Sequence, residues 1–274
     1  ALVLVLTMLL CSVAFAADTD IAILVPNADH GWTGAVMTYA EEKAAAINEE
    51  GTYTAQVITS ADPANQIAQV EDIIENESAN TVVILPQDNT LEVTMRRLAD
   101  SGIPFVMFDR VIDSVSEQAV ASVKGDNEGI GAETAKRFIE DGMVPGDKIL
   151  IIPGDNSSVP QMRNDGFFSV LLENGWTQEQ VDAIEMTAYT GWSRSEGRRL
   201  FTEWLDSKTV EEIAEYKWIF THDDEIAMGI LEALQSSEID AEKKDAFLAA
   251  GVHLASSSGL SEIYSVLKGI HQRD

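Results

Sequence analysis

From Ile21 onward the chain alternates two kinds of hydrophobic spacing. The short runs "IAILV", "AQVIT" and "TVVIL" are dense in β-branched residues, and each leads into a stretch with apolar positions at helical spacing, residues 33–50, 64–77 and 90–101. "FVMF" and "AVASV" close this first series. A second follows: a helix near 127–142, "KILII", a helix near 161–174, "AIEM", a helix near 195–207, "KWIF", a helix near 224–236, "FLAAGV" and a helix near 259–268. Such alternation predicts an α/β protein, with parallel sheets covered by helices on both faces. Gly125 and Asp126 interrupt the rhythm between the two series. The expected division is therefore residues 17–124 in one lobe and 125–274 in the other, close-coupled because no long Pro, Gly or Ser linker separates them.

The first sixteen residues, "ALVLVLTMLLCSVAFA", carry no charge and end in a small-x-small pattern, Ala14-Phe15-Ala16, before the polar "ADTD". They read as a partial signal peptide, residues 1–16, cleaved near Ala16 and lacking its Met and basic start. A membrane anchor is the competing reading, but the run is short for a bilayer span and leads into an acidic segment. Leu10 stands before Cys11 where lipidation would need a small residue, so simple cleavage is expected. Cys11 is the sole cysteine, which leaves the mature chain without disulfides or thiol chemistry.

Charge narrows the classes further. The 274 residues include 46 Asp and Glu against 18 Lys and Arg, a formal net charge of −28. That balance repels nucleic acid and anionic membranes. Acidic runs such as Glu41-Glu42 and Asp72 to Glu77 read as solvated helix faces. Glycine-rich nucleotide loops, zinc-protease helices and nucleophile elbows are missing, and the four histidines are scattered at 30, 222, 253 and 271. No metal, cofactor or enzymatic role is expected from these patterns.

Ligands of open parallel sheets bind beyond the carboxyl ends of the strands. Those positions read "NADHGW", "PQDN", "DR", "PGDNSS", "AYTGW", "THDDE" and "HLASSS", rich in carboxylates, amides, hydroxyls, His and Trp and spread over both lobes. A cleft between the lobes would collect them. "FVMFDR" raises the sharpest question, because an apolar strand ends on Asp109 and Arg110 side by side. Taken alone, the doublet reads as a structural ion pair or a turn.

Three of these segments carry a resemblance. "SGIPFVMFDR" resembles the Asp-Arg strand end of the periplasmic sugar-binding proteins of ABC transporters, of the ribose and galactose type. "MRNDGF" resembles that family's ligand-binding Arg followed by Gly-Phe, and "WIFTHDDEIAMGILEAL" is similar to its strand and helix around an Asn-Asp or Asp-Asp pair. The order and spacing match from about Asp20 to Lys268. The resemblance implies two Rossmann-like lobes joined by three crossovers and closing on a sugar. The chain ends about where the family makes its second crossover, so the C-terminal lobe reads as truncated. The resemblance also implies a monosaccharide or small polyol as ligand, a membrane permease as partner with a chemoreceptor as an optional second one, and a periplasmic location.

In that setting Asp109 and Arg110 would offer a sugar's adjacent hydroxyls a fork of acceptors and donors. The same resemblance places a stacking aromatic at Trp32, an opposing one at Trp192, a polar contact at His30, the sugar-gripping Arg at Arg163 and a hydrogen-bonding carboxylate at Asp223. Asp224 is expected to cap the following helix. His253 occupies a place where the family usually has Asp, which leaves the sugar open. Gln87 and Asp88 would line the rim, and Trp176, Trp204 and Trp218 fall on core positions. Two other classes compete: a glycosidase using paired acids such as Asp109 and Asp223, and the sugar-sensing core of a LacI-type regulator, against which the signal and the lack of a helix-turn-helix region argue.

Overall fold

The structure, a computed structural model, describes residues 19–28, 31–260 and 262–266. The expected signal segment, His30 and the end of the expected 259–268 helix lie outside the described residues. In chain order the first half forms β1 (Thr19–Pro26), α1 (Gly31–Glu50), β2 (Ala55–Ser60), α2 (Pro63–Asn76), β3 (Ala79–Ile84), α3 (Glu92–Ser101), β4 (Phe105–Phe108), α4 (Asp113–Ser116) and β5 (Ala121–Val123). The second half forms α5 (Asn127–Glu140), β6 (Lys148–Ile152), α6 (Ser158–Glu173), α7 (Gln178–Asp182), β7 (Glu185–Met186), α8 (Arg194–Ser207), α9 (Val210–Glu215), β8 (Tyr216–Thr221), α10 (Asp224–Gln235), α11 (Ala241–Ala249) and β9 (His253–Ala255).

The strands build two wholly parallel sheets, ordered β2-β1-β3-β4-β5 and β7-β6-β8-β9. All strands of the first precede residue 124 and all those of the second follow it. Side chains alternate across each sheet, so each strand feeds two cores. Ala22 and Leu24 of β1 join Ile73 and Leu98 beneath α2 and α3, whereas Ile23 and Val25 join Ala44 beneath α1. In the second sheet Ile149 and Ile151 pack with Phe138 and Phe167 on one face, and Leu150 and Ile152 with Phe201 and Ile226 on the other. Trp176, Trp204 and Trp218 are buried in these two cores.

Two helices cross at backbone contact. A Cβ on Gly131 of α5 would stand 1.8 Å from the Arg163 carbonyl oxygen, and one on Gly166 of α6 would stand 1.9 Å from that of Glu128. Only glycine permits that approach, and it fixes the height of α6, which carries Arg163.

One strand expectation fails. "FLAAGV" supplies the last three residues of α11 and the turn that follows it, and the strand is the next segment, His253–Ala255. The Asp240 side chain accepts the Glu242 and Lys243 N–H groups and starts a helix, the Ala-rich run sustains it, and Phe247 anchors it in the core. Among the described residues no helix is long and apolar enough to cross a membrane.

Candidate functional site

The loops beyond the carboxyl ends of the two sheets meet. Arg110, just after β4, reaches the Asp155 carboxylate, just after β6, at 2.9 Å. The Val111 N–H donates to Ser158 Oγ at 3.2 Å. Gly31, which opens α1, lies against Glu225 of α10, where an added Cβ would stand 3.7 Å from the glutamate Cγ.

Asp109 sits in this seam with φ of 59°, and the Arg110 N–H donates to the Phe108 carbonyl at 2.8 Å, closing a three-residue turn around it. The turn sends the neighbouring side chains apart. Arg110 is therefore not the partner that adjacency suggests: it is buried to 7% exposure, pairs with Asp155, and donates to the Gln87 and Pro86 carbonyls at 2.6 and 3.3 Å. The expected Asp109–Arg110 fork gives way to a cross-seam pair that ties Arg110 into the structure. Burial pushes the Asp109 carboxyl above its ordinary value, against the pull of Arg110, Arg163 and the Trp32 indole N–H that reaches it. Trp32, in the first turn of α1, is otherwise 59% exposed.

From the other sheet, Arg163 rises on α6. Its Nε donates to Asn127 Oδ1 at 3.0 Å, and Nη1 to the His222 carbonyl. Burial lowers its pKa, while Asp223, Asp109, Asp224 and Asp155 raise it. Trp192 lies beside it, with the guanidinium 5.6 Å from the ring centroid. The indole is laid on Gly154: a Cβ there would meet ring atoms at 2.4 Å. Hydrogen bonds from the Thr190 and Gly191 N–H groups to the Pro153 and Gly154 carbonyls pin this loop, and Trp192 completes it with φ of 63°.

At the end of β8 the structure reverses one assignment. Asp223, not Asp224, caps α10, accepting the Ile226 N–H at 2.9 Å. Asp224 instead accepts the Ser256 hydroxyl and, at 2.7 Å, the Leu260 N–H, tying down the loop beyond β9. Asp223 is 8% exposed, and burial pushes its carboxyl up to about 7, helped by Glu225 and Asp224 and opposed by the Ile226 N–H and Arg163.

Thus Trp32, Asp109, Arg163, Trp192 and Asp223 are brought to one seam, with Arg110 bridging it. His253 is not. It begins β9, in register with Trp218, its ring packs tilted against that indole with centroids 4.5 Å apart, and Nδ1 lies 3.5 Å from Asp141, which caps the end of α5. That is the amino end of the sheet; the carboxyl end of β9 delivers Ser256 and Ser257. Gln87 secures the ends of β2 and β3, donating to the Ser60 carbonyl and hydroxyl at 3.0 and 3.1 Å. Asp88 caps the short turn Asn89–Leu91 through the Thr90 N–H.

Sequence reasoning passed over Asp155, Asn127 and His222. His222 is fully buried and held neutral, with its pKa lowered to about 3 by burial and by Arg163. Its Nε2 meets Asn164 Oδ1 at 3.0 Å, and its carbonyl accepts both Arg163 and the Ser257 hydroxyl. Surface cavities of about 410 Å³, beside Arg96, Asp113 and Glu117, and about 460 Å³, beside Thr19, Gln56 and Ser78, touch none of the seam residues.

The profile of the family described as periplasmic binding protein domain matches residues 21–257. The ribose import binding protein of Bacillus subtilis is 26% identical over 181 residues, which cover 65% of this chain and 54% of that protein. The chain is thus matched to about half the length of that curated relative. Among solved structures, the Caulobacter myo-inositol binding protein bound to myo-inositol superposes with a TM-score of 0.69 at 20% identity, covering 91% of this chain and 78% of that one. A transcriptional regulator of the LacI family from Burkhoderia phymatum gives 0.64 at 20% identity, covering 87% and 78%. The two parallel sheets, the loops meeting at their carboxyl ends and a family match over most of the chain lead to one conclusion: this chain belongs to the periplasmic binding protein family.

Proposed function

We propose that this chain is the solute receptor of an ABC importer: an exported, two-lobed protein, divided near residues 124–127, that closes on a monosaccharide or related polyol and hands it to a membrane permease. The observation that carries the reading is the convergence of two indoles, two acceptor carboxylates and a guanidinium where the two sheets face each other. A sugar ring offers apolar C–H faces to Trp32 and Trp192. Its hydroxyls donate to Asp109 and Asp223 and accept from Arg163. The curated relative is named for ribose import, and the solved neighbour holds myo-inositol, a ring polyol. The carboxylates suit binding rather than proton transfer: Asp223 caps a helix and Asp109 takes the Trp32 indole.

A thermal-shift screen of pentoses, hexoses, deoxysugars and inositols tests the proposal. It expects at least one to raise the melting temperature by several degrees at millimolar concentration. A flat screen combined with retention on DNA would favour the regulator reading instead, and turnover of an aryl glycoside the enzymatic one.

A further inference from the structure

Arg163 stands in the field of the buried Asp223 and the half-buried Asp109, and both act on its charge. A guanidinium offers such a neighbour two parallel N–H groups, and the bidentate pair is the strongest contact open to it. Among the described residues neither pair forms: no Arg163 nitrogen lies within ion-pair distance of either carboxylate. Neutral oxygens hold the guanidinium instead. Nε donates to Asn127 Oδ1 at 3.0 Å and Nη1 to the His222 carbonyl, with the Trp192 ring centroid 5.6 Å from the guanidinium carbon. Nη2 makes no hydrogen bond among the described residues.

Asn127 is itself fixed. It is 4% exposed and opens α5, directly after the crossover from the first sheet to the second. That crossover folds into an inverse γ-turn at Asp126, with φ of −77° and ψ of 71°, which the Asn127 N–H closes on the Gly125 carbonyl at 2.9 Å. The Asp126 carboxylate then caps α5 by accepting the Gly129 N–H at 2.9 Å. Nδ2 of Asn127 turns back to the Gly125 carbonyl at 3.4 Å, which leaves Oδ1 for Arg163; Nε only donates, so the amide has to present its oxygen there. The glycine crossing of α5 on α6 sets the two side chains at a fixed height.

We propose that Asn127 is a positioning residue of the sugar site: it holds Arg163 by Nε, so that the guanidinium stays off Asp109 and Asp223 and all three remain free for ligand hydroxyls. This rests on the reading of the seam as the sugar site and goes beyond it by naming what keeps that site from pairing with itself. Without Oδ1, Nε is a buried donor with nothing to accept it. The guanidinium then turns to a carboxylate, and a sugar has to break the new ion pair before it can bind.

Two readouts test it. Calorimetry on the same panel of pentoses, hexoses, deoxysugars and inositols should show Asn127→Ala losing at least about tenfold in affinity for the members that bind the parent. Asn127→Asp keeps an acceptor for Nε and should recover most of that loss. The second readout needs no ligand. Asp223 faces Arg163 from α6 and Glu225 and Asp224 from its own helix, and Asp109 faces Arg110, Arg163 and Asp155. In the parent, burial raises Asp223 to about 7, so stability from this group falls as pH rises from about 4 to about 7. Pairing with Arg163 in Asn127→Ala lowers the carboxyl pKa and shrinks that fall. The gap in denaturation midpoint between Asn127→Ala and the parent should therefore narrow as pH rises. Parental affinity in Asn127→Ala, equal losses in Asn127→Ala and Asn127→Asp, or a stability gap that stays constant across that pH window overturns the proposal and leaves the sugar receptor standing. Binding by no member of the panel overturns the sugar reading, and the stability profile then decides alone whether Asn127 holds Arg163 off the carboxylates.

Discussion

Asp109 and Trp192 are non-glycine residues with left-handed backbones, φ of 59° and 63°, and both stand in the seam. Such conformations cost on the order of 1 kcal/mol or more; here one brings Asp109 within electrostatic reach of Arg163 across the seam, and the other lays the Trp192 indole on Gly154 beside Arg163. Asp109→Ala removes a half-buried acceptor but leaves the Arg110–Asp155 pair intact, so calorimetry should find a loss of about 1.5–3 kcal/mol of ligand binding with little change in fold. Trp32→Ala and Trp192→Ala should each weaken binding by roughly 1–3 kcal/mol, the range of ring stacking. Asp223 supplies a pH signature. Its folded pKa, about 7, lies above the ordinary value of 3.8, so between those values the folded state keeps a proton that the unfolded chain releases. Stability from this group therefore falls as pH rises from about 4 to about 7, by roughly 1.4 kcal/mol per unit at most. Chemical denaturation across that window should show Asp223→Asn gaining on the parent as pH rises; a constant difference contradicts the burial argument. Strand-end position singled out the segments that hold Trp32, Asp109, Trp192 and Asp223, whereas Arg163, inside α6, was picked out only by the family resemblance. Arg110 was misjudged because adjacency hides φ, and His222 was passed over because its contacts with Arg163 and Asn164 span 59 and 58 residues.

At the scale of elements, the helices and strands were legible wherever hydrophobic period and length agreed. "KILII" is the strand Lys148–Ile152, and the stretch 195–207 is α8 within one residue. "FLAAGV" misled because a short apolar run has no period of its own, and the deciding signal, the Asp240 cap, lies seven residues upstream of Phe247. Asp223 and Asp224 were exchanged for a related reason: either can cap by composition, and tertiary partners at Ser256 and Leu260 decide. The crossing of α5 on α6 joins packing to binding. In Gly131→Ala the new methyl meets the Arg163 carbonyl, so α6 must move. Urea denaturation should register a loss of about 1–3 kcal/mol, and calorimetry a loss of affinity beyond that of a stability-matched substitution remote from the seam.

At the scale of the molecule, two parallel sheets present their carboxyl ends to each other, and each contributes groups that are incomplete alone. Asp109 and Trp32 come from the first sheet; Arg163, Trp192 and Asp223 come from the second. Two β-rich series separated at Gly125 and Asp126 made the paired sheets legible, whereas the Arg110–Asp155 contact that joins them is a property of the assembled fold. The central claim is that one sugar-like ligand is held from both sides. Its most direct measurement is calorimetric titration of the best ligand from the panel into the parent chain, Asp109→Ala from the first sheet and Trp192→Ala from the second. The account predicts that both substitutions lower affinity at least about tenfold while circular dichroism stays unchanged. Parental affinity in either variant, with its fold intact, would contradict it.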